Sequence, residues 1–395
     1  MMLIYTFLAL NNVYREKCIF TKSSTMNKTS VYKNIFIVIL MFNIVFCFSQ
    51  KQRRNYINSP LMQPAYLQEG DTVMILATAG ILKDSSIIDN AIILLQDWGL
   101  KVKLSKNLYK KDSHFAGTDA QRALDFQRAL NDNNIKAIWC ARGGYGTVRI
   151  VDKLDFTNFM KNPKWIIGFS DVTVLHNEIH NLGRETIHAV MPSTIRKNNE
   201  EQKKALKSLK KALFGKELEY KTSKSDYNKE GEAKGQLVGG NLSILYSLLG
   251  SKSSLKTDGK ILFIEDVGEY VYHIDRMLQN LKRNGYFENC YGLIVGGITD
   301  IRENDTDFGK PVQQVILDAV ADYDFPVAFE FPAGHIRDNR TIIMGREVSL
   351  KVKGKRATVK FKNPSENKRN EEVISTAKEK KNENTINMGS NNLKG

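Results

Sequence analysis

At 395 residues, with 42% apolar and 26% charged side chains, the chain has an ordinary globular composition and enough length for two domains with cores of their own. The formal charge is +15, of which residues 1–50 (five basic, one acidic) supply +4 and residues 196–235 (twelve basic, seven acidic) supply +5. No Lys/Arg stripe with interleaved aromatics accompanies this excess, which argues against nucleic acid as a partner; a basic balance also suits an enzyme working near an anionic wall polymer.

From Met26, two lysines (Lys28, Lys33) precede a dense apolar run at 35–48 and a polar exit. That pattern predicts a secretory signal peptide at 26–50, with 1–25 an upstream extension, and hence an exported, periplasmic protein. The run is shorter than the roughly 20 residues that span a bilayer, and an uncleaved membrane anchor or a cytoplasmic location is the alternative. Membrane contact is expected only through this segment. Val45 and Phe46 are too large for a lipidation site at Cys47. Cys140 and Cys290 each lie beside an apolar strand-like run and read as buried thiols, with a disulfide between them left open. No Cys or His spacing points to a metal, and no cofactor is expected.

Residues 66–195 read as one α/β unit. Apolar runs at 73–76, 135–140 and 165–167, with a second strand read at 101–104, alternate with helical spacings at 85–98 and 117–131, which predicts an open sheet of largely parallel strands. The strand at 135–140 ends in Arg142-Gly143-Gly144-Tyr145-Gly146. These glycines miss the GxGxxG spacing of a dinucleotide site, so the turn is either a plain tight turn or one that presents backbone N–H groups to an oxygen. Residues 164–173, KWIIGFSDVT, read as strand, tight turn, helix. A serine in such a turn projects its hydroxyl from the sheet, and the next N–H sits at a helix start. Ser170 is the candidate nucleophile; Ser170 or Asp171 as a plain helix cap is the alternative.

Residues 196–234 read as a basic connector, a Lys-rich amphipathic helix followed by a polar stretch. The second block, 235–361, has a strand at 260–264 ending in Glu265-Asp266, a helix at 274–281, a strand at 293–298, and a run at 326–331 that delivers Ala333-Gly334-His335. Alternating patterns at 342–352 and 357–361 predict antiparallel strands. Residues 362–395 are too polar to fold and are expected to be disordered. A serine needs a base, and the base needs a group to fix its tautomer. Among six histidines only His335 occupies a Gly-flanked loop after a strand-like run in this block, and Glu265 is awkward at a strand end without a polar partner. Spacing leaves open a loop role for His335 and a cap role for Glu265.

The ordered set RGGYG, GFSDVT, GGNLSIL, ILFIEDVGEYVYHIDR and GHIRDNRTIIMG resembles the murein tetrapeptide L,D-carboxypeptidases, a family of serine peptidases that includes the microcin C self-immunity peptidases. The likeness spans about 71–352. It implies a flavodoxin-like N-terminal α/β domain, a smaller β-rich C-terminal domain, no metal and a homodimer. It further implies a triad of Ser170, Glu265 and His335, an oxyanion hole from the backbone of Gly144 (or Gly143) and Asp171, and a murein peptide substrate. The signal peptide and the charged connector depart from the family pattern. Substrates of the immunity type, and a wall-binding protein without activity, are the competing readings. Arg142 and Arg337 could grip a substrate carboxylate or merely form surface ion pairs.

Overall fold

The computed structural model describes residues 61–196, 199–302 and 305–363. The expected signal segment, the extension before it and the tail from 364 lie outside the described residues. The first half holds β1 (Thr72–Leu76), α1 (Asp89–Asp97), β2 (Lys101–Leu104), α2 (Asp119–Asn131), β3 (Ile135–Cys140), α3 (Thr157–Lys161), β4 (Trp165–Gly168), α4 (Thr173–Asn181) and β5 (Thr186–His188). Next come α5 (Lys203–Leu213), β6 (Glu219–Lys221), β7 (Gly231–Asn241), α6 (Leu242–Ser247), β8 (Lys260–Val267) and α7 (Val271–Arg283). The chain continues through β9 (Gly292–Thr299), α8 (Val312–Ala319), β10 (Val327–Ala328), β11 (Ile342–Met344), β12 (Glu347–Lys353) and β13 (Arg356–Phe361).

The first sheet runs β11-β5-β4-β3-β1-β2, parallel except for β11. Its inner strands β1, β3 and β4 read as near-continuous apolar runs because both faces are covered, whereas the edge strand β2, Lys-Val-Lys-Leu, is mostly exposed. Val73 and Ile75 of β1 enter one core, and Met74 and Leu76 enter another on the opposite face. The second sheet runs β10-β9-β8-β7-β12-β13-β6. Its β7 changes neighbours midway: residues 231–236 pair antiparallel with β12, and residues 236–241 pair parallel with β8. Strand β12 alternates buried and exposed residues, as a one-sided antiparallel strand does.

Two features differ from the sequence reading. The stretch taken as a connector after α5 contributes β6 and the first residues of β7 to the second sheet. Strand β11 leaves the C-terminal block and completes the first sheet, with Ile342 opposite His188. A buried ion pair, Arg346 with Glu185 at 2.5 Å, fastens the same junction. Cys140 and Cys290 are both buried and free.

Candidate active site

Strand β4 ends at Gly168 because the chain doubles back there. A Cβ on Gly168 would lie 2.8 Å from Val172 Cγ2. Ser170 follows with φ of +61°, a left-handed conformation that costs a residue with a Cβ about 1–3 kcal/mol. Strain of this kind is what a nucleophile elbow stores. Neither Ser170 nor Asp171 caps the helix: the N-cap positions ahead of Ser170–Val172 and of α4 carry no side-chain bond. Across from the elbow, a Cβ on Gly143 would stand 3.1 Å from Ser170 Cβ and 3.2 Å from its Oγ, so glycine lets this backbone lie against the serine without displacing it. Of the two glycines named for the oxyanion hole, Gly143 makes this close approach, while Gly144 takes the positive φ that turns the chain.

Glu265 sits two residues before the end of β8, fully buried, where the pairing with β9 slips by one residue between Ile264 and Asp266. An irregularity of this sort re-aims a side chain. The carboxylate passes beneath the loop after β10, where Gly334 (φ +105°) makes room; a Cβ there would meet Glu265 Cβ at 2.7 Å. His335 Nδ1 lies 2.6 Å from Glu265 Oε2, and the His335 backbone N–H donates to the same oxygen at 3.1 Å. A carboxylate only accepts, so Nδ1 carries the proton, and in the neutral ring Nε2 is the nitrogen with the lone pair. Asn339 Oδ1 accepts from Gly334 N–H (2.9 Å), and Thr299 Oγ1 donates to the His335 carbonyl (3.1 Å), which holds the loop.

The elbow and the imidazole meet through Phe169, whose ring centroid is 4.9 Å from that of His335. Among the described residues no hydrogen bond joins Ser170 Oγ to His335. Apo serine–histidine pairs are often long and tighten with substrate. His273 also has a carboxylate partner, Glu269 at 2.9 Å, but that pair lies one turn apart at a helix start. Arg337 is exposed and paired with Glu201 at 2.6 Å, while Arg142 donates to the Ile81 carbonyl. A cavity of about 400 Å³ flanks the His335 loop at Gly297, Thr299 and Ile336, and neither Ser170 nor His335 lines it.

Residues 73–189 match the LD-carboxypeptidase N-terminal domain and residues 234–350 the LD-carboxypeptidase C-terminal domain, together more than half of the chain. The chain belongs to the LD-carboxypeptidase family. It is a serine-type carboxypeptidase. It is 35% identical to the probable murein peptide carboxypeptidase of Bacillus subtilis over 75% of this chain and 94% of that one. The muramoyltetrapeptide carboxypeptidase of Oxalobacter formigenes has a similar structure, with a TM-score of 0.67 and 26% identity over 73% of this chain and 98% of that one. The fold is also that of MccF in complex with glutamyl sulfamoyl guanosine (TM-score 0.69, 21% identity, 77% of this chain and 99% of that one).

Parts of this carboxypeptidase that its sequence did not point to surround these residues. Asn241, within the quoted GGNLSIL block, donates its backbone N–H to Thr173 Oγ1 at 3.1 Å and its Nδ2 to Asp266 Oδ1 at 2.9 Å. It thus joins the helix after the elbow to the strand that carries Glu265. Burial, and then the charge of Glu265, push the Asp266 carboxyl up to about 6.

The carboxypeptidase also buries His176 and His188 behind the elbow. His176 Nε2 bonds the Gly168 carbonyl at 2.9 Å, and burial holds its pKa down to about 4. His188 is fully buried between Phe169 and Phe263, and neither ring nitrogen has a partner. Burial, then the neighbouring His176 and His335, hold its pKa well below 6.5. A histidine held neutral in the folded protein adds no titration penalty above the unfolded pKa of about 6.5, and one that grows as the pH falls below it. By pH 5, proton uptake by the unfolded chain costs about 2 kcal/mol. His188→Leu, which also removes two orphaned polar atoms, is therefore expected to raise the urea midpoint at pH 7.5 and to raise it further at pH 5. An increment that does not grow between the two pH values would contradict this reading.

Proposed function

We propose that this protein hydrolyses the amide bond between an L-configured centre of a diamino acid and the terminal D-alanine of murein tetrapeptides. Ser170 is the nucleophile, His335 the base and Glu265 the group that orients the base. His335 Nε2 takes the Ser170 proton as Oγ attacks the carbonyl carbon. The N–H groups of Asp171 and of Gly143 or Gly144 hold the oxyanion. The imidazolium then returns the proton to the departing D-alanine nitrogen, and water, activated by the same imidazole, releases the peptide from Ser170. The observation that carries this reading is the 2.6 Å bond that His335 Nδ1 makes to Glu265 Oε2, on a ring packed against Phe169, the residue before the strained Ser170 turn. The murein peptide carboxypeptidases among its relatives support the substrate class. Export through the segment at 26–50 and assembly as a homodimer belong to the same proposal.

The test is incubation of purified protein with defined murein tri-, tetra- and pentapeptides, with products identified by mass. Release of D-alanine from the tetrapeptide is expected. Inertness towards all three, combined with cleavage of an aminoacyl sulfamoyl nucleoside of the kind bound by MccF, would transfer the protein to immunity-type chemistry.

A further inference from the structure

Asp171 spends its side chain in an unexpected place. An acidic residue in the first turn of a helix ordinarily caps the local N–H groups or faces water. Here the carboxylate is 1% exposed, and its Oδ2 reaches across to accept the Thr147 backbone N–H at 2.8 Å, with the Gly146 amide also bearing on it. Burial pushes the carboxyl up from its usual range, against the pull of these hydrogen bonds and of the Arg122 charge. Burying such a group is costly and calls for a return elsewhere.

The far side of the same turn is held as firmly. Arg122, buried on α2, donates through Nη1 to the Gly146 carbonyl at 2.9 Å and to the Thr78 carbonyl at 2.5 Å. Thr147 Oγ1 bonds Thr78 Oγ1 at 3.0 Å. Gly146 (φ +139°) has no space for a side chain, since a Cβ would stand 2.7 Å from Arg122 Nη1. The end of the glycine turn is thus clasped between the elbow and an arginine, while its start, Gly143, lies against Ser170.

We propose that the Asp171 carboxylate is a positioning group for the oxyanion hole, fixing the Gly143–Gly146 turn to the nucleophile elbow so that the N–H groups on the two pieces converge on one oxygen. This inference rests on the proposed hydrolytic function. Asp171 contributes twice: its own N–H is one donor, and its side chain sets where the other donor stands. A shift of about 1 Å in such a constellation costs on the order of a hundredfold in rate. The oxyanion forms only in the transition state, so the loss falls on kcat rather than KM.

Asp171→Ala is expected to lower kcat about 10- to 100-fold with KM within about threefold of the parent. Asp171→Asn keeps an acceptor oxygen at the same reach and is expected to restore kcat to within about fivefold of the parent. Tetrapeptide affinity, measured in a Ser170→Ala background, should be the same with and without Asp171→Ala. If Asp171→Ala does not fold, Arg122→Lys loosens the turn from its other side while keeping the charge, and kcat should fall about fivefold or more at constant KM. The inference is overturned by an Asp171→Ala enzyme with kcat within twofold of the parent, by an Asn variant no better than the Ala variant, or by an Arg122→Lys enzyme with unaltered kcat. Parent protein that releases no D-alanine would instead remove the functional reading itself.

Discussion

Ser170→Ala is expected to abolish D-alanine release, a loss of about 10⁴-fold or more, while the protein stays folded. The serine occupies a turn in which φ is +61° whatever its side chain, and its Oγ makes no hydrogen bond among the described residues, so the hydroxyl contributes nothing to the fold that alanine would forfeit. Melting temperature and far-UV circular dichroism should therefore match the parent. The comparison to make is of initial rates of D-alanine release from murein tetrapeptide at saturating substrate. Residual turnover at a tenth of the parental rate would point to another nucleophile.

The second large effect belongs to Glu265. Glu265→Gln preserves volume but presents an amide that can donate to Nδ1, which stabilises the tautomer with its proton on Nε2, the wrong one for a base. A fall of about 10³- to 10⁴-fold in kcat is expected, as for the matching change in the Ser-His-Asp triad of serine proteases. The pH profile should move as well. Burial pushes the His335 pKa down, but the Glu265 hydrogen bond and the charges of Glu265, Asp266 and Asp300 outweigh it, and the net shift is upward from 6.5. In the proposed mechanism His335 acts when neutral, so kcat/KM of the parent should rise with pH through a midpoint above 6.5. Without the Glu265 charge the raising influence shrinks and the midpoint should move to lower pH. A variant whose midpoint does not move, or whose rate stays within tenfold of the parent, would show that Glu265 is not the partner of the base.

What could be read from the sequence follows from how local each signal is. The elbow was legible because an apolar strand, a glycine and a helix start fall within ten residues. Strands β1 and β3 were legible as apolar runs and β12 by its alternation. Strand β6 was missed because it is three residues, Glu-Tyr-Lys, with only Tyr220 buried; its strand character comes from its neighbour β13. Strand β5 is as short, and the sheet around it decides its conformation, while β10 falls inside the strand-like run read at 326–331.

The site divides in the same way. Glu265 and His335 are 70 residues apart, and residue pattern alone left their meeting open; the family likeness proposed it, and the slipped pairing at Ile264–Asp266 together with Gly334 makes it sterically feasible. The helix-cap reading of Asp171 was reasonable locally and differs from the structure because the acceptor bond runs to Thr147, in the turn after another strand. His188 gave no signal, since a lone histidine in a short strand looks the same whether its nitrogens are satisfied or orphaned.

The most direct test is to mix protein and murein tetrapeptide at comparable concentrations, quench with acid within a single turnover, digest, and measure peptide masses. A tripeptidyl ester on the fragment that contains Ser170, formed as D-alanine appears and absent when Glu265 is Gln, is the expected result. An adduct on a different side chain, or D-alanine released with no covalent intermediate while Ser170→Ala turns over normally, would contradict the account.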